Sequence, residues 1–238
     1  MKFISFFAGI GGLDLGLERA GHKCVGQCEI NPFALRVLAK HWPDVPRFGD
    51  IMELQPDDLP TADLWCGGFP CQDLSNAGEQ AGIHGERSGL FFEFMRLAAR
   101  VRPRFLLLEN VEALLIRGMG EVLGTLAECG YDAEWEVLRA SRFGAAHRRQ
   151  RIFIIAHAKS VRLSGRVFSC LPDQLPRVGD PPYRLTVTEP IGIGTNHGIP
   201  NYVDRVRGLG NAVVPQVAEY LGWLIARYAK EKAKAKND

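Results

Sequence analysis

Short apolar runs alternate with stretches of helical periodicity through the first half of the chain. That order predicts strands and helices taking turns in a mostly parallel sheet. Phe3 to Phe7 reads as a first strand, and Leu13, Leu15, Leu17 and Ala20 mark a helix that Gly21 ends. Lys23 to Glu29 reads as a second strand, with Asn31 and Pro32 as the cap and first residue of a helix carrying Ala34, Leu35, Val37 and Leu38. A short strand near Arg47 and Phe48 leads to Gly49 and Asp50, and Asp63 to Cys66 makes a fourth. Leu90 to Val101 has helical spacing, and Arg104 to Leu108 is an apolar run of the kind buried on both faces. Asp132 to Leu138 and Arg151 to His157 read as an antiparallel pair closing a sheet of about seven strands.

Residues 158–206 break the pattern. They are rich in proline, glycine and arginine, with Gly179 to Pro182 and Gly192 to Gly194 as breakers, and predict a small irregular lobe. Helical periodicity returns from Val213 to Ala229, and Lys230 to Lys236 reads as a frayed tail. The expected organisation is a catalytic and cofactor-binding domain over 1–157, a lobe over 158–206, and a C-terminal segment over 207–238 that returns to the first domain.

Composition narrows the class. A chain of 238 residues with 46% hydrophobic content can bury a proper core. Neither a secretion signal nor an apolar run of membrane-spanning length is found, so a soluble, cytoplasmic protein with no membrane partner is expected. Cys24 and Cys28 stand four apart in a predicted strand with no second Cys/His pair nearby, which favours buried strand residues over a metal site; no metal is expected. Charge divides unevenly: residues 1–138 carry 12 Lys and Arg against 20 Asp and Glu, residues 139–207 carry 12 against 4. A basic segment beside an acidic domain suits a polyanion such as nucleic acid, or is simply a solvated surface.

The candidate chemistry lies at the predicted strand ends. Phe7-Ala8-Gly9-Ile10-Gly11-Gly12 joins the first strand to the first helix, and glycines there let the backbone approach a ligand in the crevice where such folds bind nucleotides. Glu29 ends the second strand and can accept from ribose hydroxyls; Asp50 ends the third and suits an exocyclic amino group. Together they point to an adenosine-containing ligand. Cys71 follows Pro70 at the end of the fourth strand, placed to act as a nucleophile if its thiolate is favoured, or else to pack as a small apolar residue. Glu109 follows Leu106 to Leu108, where partial desolvation would raise its pKa and make it a proton donor.

The ordered series FAGIGG, Glu29, Asp50, GFPCQ, Glu109-Asn110-Val111, Arg149-Gln150-Arg151 and Gly210-Asn211-Ala212-Val213 strongly resembles the cytosine-C5 DNA methyltransferase family across nearly the whole chain. The resemblance implies a Rossmann-like methyltransferase fold, S-adenosylmethionine as methyl donor, and double-stranded DNA whose target cytosine is flipped out of the stack. By that resemblance Cys71 adds to C6 of the base, Glu109 hydrogen-bonds or protonates N3, and Arg151 with Arg149 behind it holds the base oxygen and supports the thiolate. Asn110 contacts the base or holds the loop, with Val111 beside it. The family pattern assigns Phe7, Ala8, Gly9, Gly11 and Gly12 to the cofactor, then Glu29 to the ribose and Ile30, Asp50 and Ile51 to the adenine region. Pro70, Leu90, Asn211, Ala212 and Val213 complete that set.

Two features depart from the family. Ala146-His147 stands where its arginine motif begins with Pro-Gln, so His147 reads as a structural histidine or a phosphate contact. The lobe is short for a target-recognition domain; Arg148, Arg162, Arg166, Arg177 and Arg184 can hold phosphates while few base edges are read, which predicts a short or relaxed sequence preference. A family branch that modifies transfer RNA carries Cys-Phe-Thr, which this chain lacks. A monomer is expected.

Overall fold

The computed structural model describes residues 1–70, 89–145, 147–161, 167–170 and 202–234. Its strands and helices follow in the order β1 (Lys2–Phe6), α1 (Gly12–Arg19), β2 (Lys23–Cys28), α2 (Pro32–His41), β3 (Arg47–Phe48) and β4 (Leu64–Gly68). Then come α3 (Leu90–Val101), β5 (Phe105–Asn110), α4 (Leu114–Arg117), α5 (Met119–Glu128), β6 (Tyr131–Arg139), β7 (Gln150–Ala158), α6 (Tyr202–Asn211) and α7 (Pro215–Lys234).

The strands form a seven-stranded sheet ordered β3-β2-β1-β4-β5-β7-β6. β1 pairs in parallel with β2 and β4, and β4 with β5, whereas β7 runs antiparallel to both β5 and β6. Every residue of β5 is buried, as are Phe3 to Phe6 and Leu64 to Gly67, because helices cover both faces of the sheet. Phe6, Trp65 and Phe94 meet at the centre of the core, with ring centroids 4.8 and 5.1 Å from Phe6. The order of connection reverses where β1 lies between β2 and β4, and open α/β sheets bind ligands outside the strand ends at such a point.

Local sequence explains several element ends. The Asn31 side chain accepts from Phe33 N and Ala34 N, and Pro32 opens α2 behind it. On α3, Phe91, Phe94, Met95, Leu97 and Ala98 form the buried face expected from their spacing. α1 and α7 pack closely because Gly16 has no side chain: a Cβ there would run into Pro215 O and Ala218. Beneath α1, Asp14 is fully buried and accepts from Ser5 Oγ and Gln27 Nε2, each at 2.8 Å, so one carboxylate ties α1 to β1 and β2.

The sheet differs from expectation mainly in extent. β5 continues through Glu109 and Asn110, which pair with Phe153 and Ile152 of β7; a partner more than forty residues away lengthens a strand whose apolar run stops at Leu108. α4 and α5 occupy a stretch where no helix was expected. α6 begins at Tyr202 and crosses the expected boundary at 206 and 207, so that part of the basic segment is helical. The expected fray from Lys230 is helical as far as Lys234. Cys24 and Cys28 are buried on β2, Cys28 Sγ donating to Gly49 O.

Candidate active site

Four strand ends converge on one cleft of about 260 Å³. Phe7, Ala8 and Gly9 enter it after β1, Glu29 after β2, Gly68 at the end of β4, and Glu109 from β5. Phe7 leaves the sheet in a left-handed conformation (φ 52), which costs a non-glycine residue about 1 kcal/mol or more and turns the chain sharply into the loop. Glu29 holds that loop: its Oε2 accepts from Gly9 N at 2.7 Å, while its Oε1 accepts from Ile30 N and Asn31 N at 2.8 and 2.7 Å. A carboxylate has about four acceptor positions, so one remains for a ligand hydroxyl. The far wall comes from α6 and the turn after it, with Asp204, Gly208, Asn211, Ala212 and Val213. Gly12 lines the cleft too, and a Cβ on it would strike Val213 O; this contact brings the first and last segments of the chain together.

Glu109 stands at the inner end of the cleft, 8% exposed. Its Oε1 lies 3.0 Å from Arg151 Nε. Burial raises the Glu109 pKa above the ordinary carboxylate value, against the opposing charges of Arg151 and then Arg149. Two opposing influences thus leave a carboxyl that holds its proton more readily than usual yet remains hydrogen-bonded to a cation. Gly68 makes room for it, since a Cβ there would stand 2.6 Å from Glu109 Oε2. Next to it, Asn110 is 2% exposed, donates through Nδ2 to Phe69 O at 3.2 Å and accepts from Val111 N at 2.8 Å. With both ends of its amide engaged, Asn110 holds the chain two residues ahead of Cys71.

Residues 1–187 match the family described as C-5 cytosine-specific DNA methylase. The chain belongs to that family. It is 40% identical over 164 residues to Type II methyltransferase M2.BsuMI of Bacillus subtilis (strain 168), a match covering 66% of this chain and 42% of that protein. Type II methyltransferase M.DsaV of Dactylococcopsis salina is 32% identical over 247 residues, covering 97% of this chain and 68% of its own length. The chain therefore spans less than half the length of some curated relatives and about two thirds of others. A prophage-encoded E. coli protein described as a DNA modification methyltransferase shares the fold at a TM-score of 0.59 and 28% identity, over 70% of this chain and 49% of its own.

Around this cleft, the residues expected from sequence take different places. Phe7, Ala8, Gly9, Gly12, Glu29, Glu109, Asn211, Ala212 and Val213 line the cleft. Six expected at the cofactor do not. Gly11 packs on Trp42, Ile51 is 3% exposed within the core, and Leu90 opens α3 against that core. Asp50 accepts from Met52 N, Ile30 is exposed to solvent, and Pro70 ends the described part of its loop outside the lining. Cys71, with Arg162, Arg166, Arg177 and Arg184, lies outside the described residues. His147 and Arg148 are exposed.

Arg149 is placed differently from expectation. Its guanidinium donates to the carbonyls of Gly210, Asn211 and Ala212 at 2.6, 2.9 and 2.8 Å. The lining residues that sequence alone missed are Ile10, Leu13, Asn31, Phe33, Ala34, Gly68, Asp204 and Gly208. Those next to the glycine loop and Glu29 could have been taken from adjacency; Asp204, one of four acids in the basic segment, had no signal to set it apart.

Proposed function

We propose that the chain transfers a methyl group from S-adenosylmethionine to C5 of a cytosine flipped out of double-stranded DNA. The observation that carries this reading is the buried, arginine-paired Glu109 in a cleft also lined by Gly68, which stands three residues before Cys71 in the sequence. Family membership and likeness to type II methyltransferases support DNA as the substrate.

The cleft suits the proposed methyl donor. Its described lining holds two carboxylates, Glu29 and Asp204, beside the Glu109 carboxyl, with no lysine or arginine, a charge pattern that favours a cationic ligand. Glu29 keeps an acceptor position for a ribose hydroxyl, and Phe7, Phe33, Leu13 and Val213 provide apolar surface. The bound sulfonium supplies an electrophilic methyl group.

The remaining steps belong to the chain. The Cys71 thiolate adds to C6 of the cytosine, forming a C–S bond and making C5 nucleophilic as in an enamine. Glu109 gives its proton to N3, or shares it, so that negative charge does not accumulate on the ring. Arg151 orients the Glu109 carboxyl and lends positive charge beside the base. After methyl transfer, loss of the C5 proton and departure of the cysteine sulfur restore the aromatic ring. Phosphate contacts from Arg148, Arg162, Arg166, Arg177 and Arg184, with few base contacts, go with a short or relaxed target sequence.

Labelled S-adenosylmethionine offered with duplex DNA, single-stranded DNA and transfer RNA tests the assignment. Label entering duplex DNA as 5-methylcytosine is expected. Label entering only transfer RNA, or no nucleic acid, would overturn it.

A further inference from the structure

Arg149 and Arg151 stand two residues apart at the start of β7, and the period of a strand sends alternate side chains to one side. Their partners nevertheless differ. Arg151 reaches Glu109, whereas Arg149 crosses to the end of α6 and holds three successive carbonyls there. A helix leaves its final carbonyls without internal donors, and its dipole makes that end negative. A guanidinium meets both needs, since its fixed fork can serve several acceptors at once.

The position of the clamp gives it a consequence. Asn211, Ala212 and Val213 form one wall of the cleft, and the Arg149 grip lies on the backbone of that wall. The arginine is itself anchored, its carbonyl accepting from Ala140 N at 2.9 Å. We infer that Arg149 is a positioning residue for the methyl donor: it fixes the end of α6 as the wall against which the donor binds, and ties that wall to the strand carrying Arg151. The inference rests on reading the cleft as the S-adenosylmethionine site. The positive charge of Arg149 also acts on Glu109, so the clamp lies within electrostatic reach of the proton donor.

The test is calorimetric binding of S-adenosylhomocysteine, without DNA, to the full-length wild type, Arg149→Lys and Arg149→Ala, with unfolding temperatures measured alongside. Arg149→Ala is expected to bind about tenfold or more weakly, the size of one lost charge-assisted hydrogen bond, and Arg149→Lys to fall between it and wild type. The affinity of each folded variant for duplex DNA should change less than its affinity for the cofactor product. Unchanged cofactor-product affinity in Arg149→Ala overturns the inference, whether the variant has merely become less stable or has lost its preference for a target cytosine over an abasic site. A wild type that binds no S-adenosylhomocysteine overturns the cofactor reading as well, and is distinguished because the failure precedes any substitution.

Discussion

Glu109 Oε1 lies 3.0 Å from Arg151 Nε, at a carboxyl that burial has pushed above its ordinary pKa. The raised value fixes the sign of two pH effects. The proton-donating form persists to higher pH than that of a free carboxylate, and the rate step that needs it declines as pH rises through the raised pKa. The stability contributed by this group is fully present below the unfolded-state pKa and is lost as pH rises through the folded one. Glu109→Gln is expected to lower kcat by about 10²- to 10⁴-fold and remove that decline, with binding of S-adenosylhomocysteine kept. A single-turnover pH profile of both proteins checks this; an unchanged profile in the variant would assign the titration elsewhere.

Gly68→Ala should act on the same carboxyl from the neighbouring strand. The new methyl would stand 2.6 Å from Glu109 Oε2, so the side chain or β4 must shift. The expected cost in stability is about 1–3 kcal/mol, accompanied by a loss of kcat. Urea unfolding and single-turnover rates measure the two separately, and a fully active Gly68→Ala protein would show that the carboxyl position is not critical.

Asp204 predicts discrimination between the charged cofactor and its neutral product. With Asp204 as one of the cleft's carboxylates, Asp204→Asn should weaken S-adenosylmethionine binding more than S-adenosylhomocysteine binding. Calorimetry with each ligand gives the ratio. Equal weakening would mean that Asp204 shapes the wall without acting through its charge.

Asp14 offers a stability test remote from the chemistry. Burial raises its pKa, opposed by hydrogen bonds from Gln27 and Ser5, so its contribution to stability falls as pH rises from the ordinary carboxylate range through the raised value. Asparagine can still accept from Gln27, and Ser5 can rotate to accept from the new amide. Asp14→Asn should therefore keep stability within about 1 kcal/mol near neutrality and remove this part of the pH dependence, whereas Asp14→Ala should cost about 1–3 kcal/mol by stranding the Gln27 amide. Denaturation curves across that pH range decide it; an Asp14→Asn protein as unstable as Asp14→Ala would contradict the bonding described.

The positions of strands and helices in the first half were legible because they depend on local pattern. Apolar runs marked the strand bodies, and Asn31 with Pro32 marked the start of α2 through a bond made within three residues. What depended on distant partners was not legible. β5 extends through Glu109 because β7 pairs with it, and the hold of Arg149 on α6 spans more than sixty residues. Asp204 sat in a segment whose prolines and arginines read as an irregular surface, and only the packing of α6 over the cleft gives its carboxylate a place. Ile51, assigned by the family pattern to the adenine region, turns its side chain into the core, a direction that local pattern did not give.

The central claim is that Cys71 and Glu109 together activate a flipped cytosine. Incubation with S-adenosylmethionine and duplex DNA containing 5-fluorocytosine tests it most directly, because a fluorine at C5 cannot leave as a proton and the C–S bond persists. Wild type should form a denaturation-resistant protein–DNA adduct, Cys71→Ser none, and Glu109→Gln an adduct formed far more slowly. An adduct that forms equally well with Cys71→Ser, or no adduct with wild type under conditions where it methylates ordinary DNA, would contradict the account.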